Sequence, residues 1–156
     1  MKLCKAAASM PALSSACKTG LSGLKQIDRK RIDVDATSRV SGSIDLDAAL
    51  CDEMPNDPRW DYVVGYRHEG SIADYLYWIE VHPATSGEVK SVLSKLSWLK
   101  MWLEGTGEPL NGFGRQFVWI ASGEVRLSPS SPERKRLAQN GILFPGRILK
   151  IPHKRK

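Results

Sequence analysis

The most regular hydrophobic pattern in the chain lies between Tyr75 and Glu104. Tyr75-Leu76-Tyr77-Trp78-Ile79-Glu80-Val81-His82 is apolar on both faces of an extended strand, which predicts a central place in a sheet. Pro83 is expected to end that strand. Thr85 and Glu88 then have the spacing of a capping box. Val89, Val92, Leu93, Leu96, Leu99 and Leu103 follow at helical intervals, while Lys90, Ser91, Ser94, Lys95 and Lys100 take the other face. Gly105 and Gly107 stop the helix.

Weaker patterns flank this centre. Trp60 to Tyr66 is rich in aromatic and β-branched residues and reads as a strand, joined to the next by a turn at Arg67–Ser71. Phe117–Ile120 predicts a further strand. Ser131-Pro132-Glu133 starts a helix that Asn140-Gly141 ends, and Arg147–Ile151 makes a last strand. Ile32, Val34, Ile44 and Leu46 alternate with aspartates, which suits short edge strands or a loop, and Leu46–Leu50 fits a short helix. The expected architecture is a single α/β domain with a mixed β-sheet, a hairpin first and helix–strand crossovers after it. Residues 1–30 lack a clear period and read as a flexible or weakly helical arm. The domain is then 31–152, with 153–156 a basic tail.

Composition refines this picture without changing it. Apolar residues make up 42% and charged residues 26% of 156, close to a soluble globular average. No apolar run approaches the roughly 20 residues of a membrane span, so no membrane partner is expected. The N-terminal Ala/Ser-rich stretch contains Pro11 and few large apolar residues, a poor hydrophobic region for a secretion signal. Cys4, Cys17 and Cys51 are odd in number and far apart, which fits a reducing cytoplasm and argues against a disulfide framework or a zinc knuckle.

The net charge of +6 is unevenly spread. From Asn111 onward ten Lys/Arg face only Glu124 and Glu133, whereas Asp28 to Glu80 holds twelve Asp/Glu. A basic third beside an acidic, metal-capable middle suits a polyanionic partner, nucleic acid foremost. Arg134, Lys135 and Arg136 on the late helix, and Lys154–Lys156 in the tail, are the candidate phosphate contacts. A solvated basic surface is the alternative reading.

Candidate chemistry gathers at one end of the hairpin. Asp61 lies near the start of its first strand and Glu80 near the end of its second, and those ends are neighbours. Glu80 and His82 leave the same face of their strand. Two carboxylates suit Mg²⁺, which takes few protein ligands and keeps its waters; histidine suits Mn²⁺ or a general base. An ionised Glu80 in so apolar a strand requires a metal or a cationic partner.

An aspartate on one hairpin strand, Glu-x-cation near the end of the next, then a helix and another strand, resembles the core of the PD-(D/E)xK nucleases. These form the restriction-endonuclease-like superfamily, and the resemblance spans about Trp60 to Ile120. It implies a restriction-endonuclease-like core, a Mg²⁺ or Mn²⁺ cofactor, and hydrolysis of nucleic-acid phosphodiesters. Asp61 and Glu80 take the place of the metal-binding carboxylates. His82 stands where the family has lysine, and Lys95, or else Lys90, is the candidate to supply that cation from the helix. The other expectation is a non-catalytic module that binds nucleic acid or a protein partner on the same fold.

Overall fold

The computed structural model describes residues Met1–His153. The tail lysines and arginine at 154–156 lie outside the described residues. Helix α1 (Leu3–Ala7) and α2 (Gln26–Arg29) precede strand β1 (Ile32–Val34). Next come β2 (Val40–Asp45), α3 (Leu46–Leu50), β3 (Tyr62–Tyr66), β4 (Tyr75–Thr85) and α4 (Val89–Glu104). The chain closes with β5 (Gly114–Arg126), α5 (Pro132–Gln139), β6 (Ile142–Gly146) and β7 (Leu149–Ile151).

Five strands form one mixed sheet in the order β2-β3-β4-β5-β6. The first three make an antiparallel meander; β4, β5 and β6 are parallel, joined by crossovers that carry α4 and α5. The chain is thus a single α/β domain with a mixed sheet, as the alternation of strand and helix patterns requires. Strand β6 escapes the sequence pattern, because Phe144-Pro145-Gly146 reads as a turn.

The sheet is covered on both sides, which is why β3 and β4 are apolar on both. One face packs Val63, Leu76, Trp78 and Trp119 against Val92, Leu96 and Leu99 of α4 and Leu3 and Ala7 of α1. The other packs Tyr62, Val64, Tyr77, Ile79 and Val118 against Leu24 and the small parallel pair of β1 and β7.

Two expectations are corrected here. Pro83 does not end β4, which pairs with β5 on both sides of it: His82 lies opposite Ala121 and Ala84 opposite Val125. The mismatch leaves extra residues of β5, Ser122 to Glu124, bulged beside Pro83. A residue without an N–H is tolerated in a strand at such a bulge.

The N-terminal segment, expected to be flexible or weakly helical, has the short helices α1 and α2 but is packed rather than flexible. Leu3, Ala6, Ala7, Met10 and Leu13 are buried in the main core, and Lys18 and Ser43 exchange two backbone hydrogen bonds of 2.9 Å. Cys4 and Cys17 form a disulfide, against the expectation of reduced cysteines, and only Cys51 is a free thiol among the described residues. The cysteines therefore carry no argument for a reducing compartment. Their 13-residue separation closes a short loop, so reduction is expected to lower the unfolding free energy by about 3 kcal/mol. Urea unfolding with and without reductant measures this; coincident curves would show that the bond constrains nothing.

Candidate functional site

The site grows out of the hairpin register. Tyr62 pairs with Ile79, which carries Asp61 opposite Glu80 at the end of the strands. The two residues then bond reciprocally. Asp61 N donates to Glu80 Oε1 at 3.2 Å, and Val81 N donates to Asp61 Oδ2 at 2.9 Å. The Asp61 carbonyl also receives the first amides of α3, from Leu46 and Asp47, so its backbone is fixed from two directions.

Glu80 points to the α4 face with Trp78 and has no exposed surface. Lys95, which the residue pattern set on the polar face of α4 with Lys90 and Lys100, instead reaches inward, three residues after Val92 and four before Leu99. Its Nζ stands 2.5 Å from Glu80 Oε2. Lys90, the other candidate, is exposed. Burial opposes the Lys95 ammonium, but the Glu80 carboxylate outweighs it and raises the Lys95 pKa.

His82 is held between two carboxylates. Nδ1 lies 3.4 Å from Glu80 Oε2 and Nε2 lies 2.6 Å from Glu88 Oε2. Its pKa is raised, most by the bond to Glu80, against the opposing effect of burial, and further by Glu88. Glu80 weighs more despite the longer contact because it is wholly removed from water, whereas Glu88 is half exposed. The Trp119 indole donates to the His82 carbonyl at 3.1 Å and fixes the strand there.

Glu88 is the member of this cluster that the sequence concealed. Its spacing from Thr85 suggested a capping box, yet Thr85 makes no capping hydrogen bond and a short 3₁₀ turn, Ser86–Glu88, precedes α4. A carboxylate six residues beyond a strand-end histidine was the available signal. Asp47 also went unnoticed; it pairs with Arg59 at 3.0 Å and adds negative charge felt by both Asp61 and Lys95.

The Asp61 carboxyl is strongly shifted. Burial first, and the charge of Glu80 second, raise its pKa to about 7, against the lowering effect of the Val81 amide. Two carboxylates with so little water favour a shared cation. Among the described residues no hydrogen bond reaches Asp61 Oδ1, whereas Glu80 Oε2 faces both Lys95 and His82 and Oε1 accepts from the Asp61 amide. No group of three or more His, Cys, Asp or Glu side chains is disposed to hold a metal among the described residues. Asp61 and Glu80 would give a hard divalent cation two protein carboxylates and leave the rest of its shell to water.

The basic triplet of α5 is divided. The Arg134 guanidinium stacks 4.6 Å above Phe144 and donates to the Leu127 carbonyl, so it serves packing. Lys135 and Arg136 are exposed. Trp98 and Trp102 stack on each other, with Trp102 in the core.

The raised His82 pKa has a consequence for stability. A group whose pKa rises on folding stabilises the fold fully below its unfolded value, about 6.5, and that contribution fades as pH rises through the folded value. His82→Gln should therefore cost stability at pH 5.5 and little at pH 9. Denaturation of both proteins across that range checks the sign; a deficit that grew toward alkaline pH would refute it.

What this geometry defines is a single-domain α/β protein with a polar cluster of Asp61, Glu80, His82, Glu88 and Lys95 at the end of its hairpin. Comparison with protein-family models, with curated proteins and with solved structures finds no match. No helix among the described residues is long and apolar enough to cross a membrane.

Proposed function

We propose that the protein is a metal-dependent phosphodiesterase acting on nucleic acid, related in plan to the restriction-endonuclease-like nucleases. One observation carries this reading: a wholly buried Glu80 whose two oxygens meet the Asp61 amide and the Lys95 ammonium. Carboxylate, carboxylate and lysine thus come together from two strands and a helix. An antiparallel meander, a crossover helix and a parallel strand hold them.

In this reading Asp61 and Glu80 hold Mg²⁺ or Mn²⁺. Such an ion supplies an acidified water and neutralises charge on a phosphoryl oxygen. Lys95 takes the lysine role that His82 vacates, offsetting charge on the attacked phosphodiester. His82, braced by Glu88, holds or moves a proton beside Glu80. The exposed Lys135 and Arg136 attract the polyanion.

The experiment is a cleavage assay on single- and double-stranded DNA and RNA with Mg²⁺ or Mn²⁺. Cleavage should appear with either ion and vanish with EDTA. The same Glu80–Lys95 pair also supports a second reading, a non-catalytic module in which the ion pair is purely structural. Salt-sensitive binding with no metal-dependent cleavage of any of the four substrates would leave that reading alone standing.

A further inference from the structure

A second polar feature lies at the same end of the sheet, outside the carboxylate cluster. A hollow of about 550 Å³ is lined by Ile27, Lys30, Arg31, Ser122, Arg147 and Ile148. Three of these six are cations from two separate segments, the α2–β1 connection and the β6–β7 connection. Lys30 and Arg147 are exposed and enter no ion pair among the described residues.

Arg31 is set rigidly. Its Nε donates to Asp28 Oδ1 at 3.0 Å and its Nη1 to the Ala121 carbonyl at 3.4 Å. Asp28 forms an ion pair with Arg31 and also accepts from the Tyr62 hydroxyl at 2.5 Å. The net positive charge of the hollow therefore comes from Lys30 and Arg147, while Arg31 offers directed donors. A guanidinium held on one edge retains donors on the other for an incoming oxyanion.

The hollow and the candidate site flank the same end of the sheet from opposite faces: Ala121, which anchors Arg31, is the strand partner of His82, while β1 and β7 pack on the face opposite α4. Ser122, on the hollow's wall, begins the bulge beside Pro83. The exposed side chains of Ile27 and Ile148, 59% and 45% accessible, flank the cations with apolar surface. An isolated phosphate has no use for such flanks, whereas sugars and bases on either side of a phosphate do.

We infer that this hollow binds the phosphodiester backbone of a nucleic-acid strand lying across the end of the sheet, with Lys30, Arg31 and Arg147 as the phosphate contacts. The inference rests on the nucleic-acid reading above but not on catalysis. It is tested by fluorescence anisotropy of a labelled single-stranded DNA, in EDTA so that cleavage plays no part, over salt from about 50 to 200 mM. Lys30→Ala/Arg147→Ala should weaken binding several-fold and reduce the slope of log affinity against log salt by about 1.4 on a single strand. Lys2→Ala/Lys5→Ala removes equal charge from the N-terminal segment and should leave the slope unchanged. Equal losses in both double variants would reduce the effect to net charge and overturn the inference, as would wild-type affinity in Lys30→Ala/Arg147→Ala. Loss of cleavage with this binding pattern intact would instead refute only the catalytic reading.

Discussion

Glu80→Gln is expected to reduce metal-dependent cleavage by at least about 100-fold, the scale of losing one charge-stabilising group from a reaction centre. The substitution keeps the side-chain volume in a fully buried position. Its single carbonyl oxygen can accept from the Asp61 amide or from Lys95, not from both. One hydrogen bond is therefore lost, at a cost of about 1–3 kcal/mol, and the negative charge that would hold a cation is gone. Rates measured on protein shown to be folded by circular dichroism separate the two effects. Cleavage at the wild-type rate would remove Glu80 from the chemistry and leave it a structural residue.

Lys95→Met should be the more damaging change for folding, at about 3–5 kcal/mol. Lys95 is partly exposed and can swing its ammonium to water when Glu80 is neutralised. Glu80 has no such escape. With Lys95 gone it must stay charged with His82 as its remaining cation, or take up a proton. The two single substitutions are thus unequal, and Glu80→Gln/Lys95→Met should recover part of the loss because neither charge is then left unpaired. Urea denaturation of the three variants tests this. A larger loss for Glu80→Gln than for Lys95→Met would mean that the carboxylate is not the stranded partner.

The sequence exposes some of this arrangement and hides the rest for identifiable reasons. Strands β3 and β4 and helix α4 are legible because burial on both sheet faces, and a stripe on one helix face, impose periods that survive in the residue types. Lys95 is not, because it groups with the polar residues of α4 and only the packed helix shows its long side chain reaching inward to Glu80. Glu88 is not, because its distance from Thr85 satisfies two explanations and only the path of the chain after Pro83 decides between them.

The N-terminal packing is hidden by composition. Ala6 and Ala7 fill a core position without the large side chains that announce one, and the Cys4–Cys17 bond follows from a chain reversal that no local pattern encodes. Strand β6 is concealed by Pro145 and Gly146, which are acceptable in a strand with only one neighbour.

That last property bears on how the edges of the sheet are protected. An open sheet ends in two strands with unpaired backbone groups, each a template for another chain. At the β6 edge, Pro145 removes a donor from the outer side. At the β2 edge, Lys18 pairs with Ser43, and the Cys4–Cys17 bond holds the segment that supplies Lys18 against the same strand, where Gly42 leaves room for the sulfurs. The covalent clip thus shields a sticky seam, and reduced protein should self-associate through β2 before it unfolds.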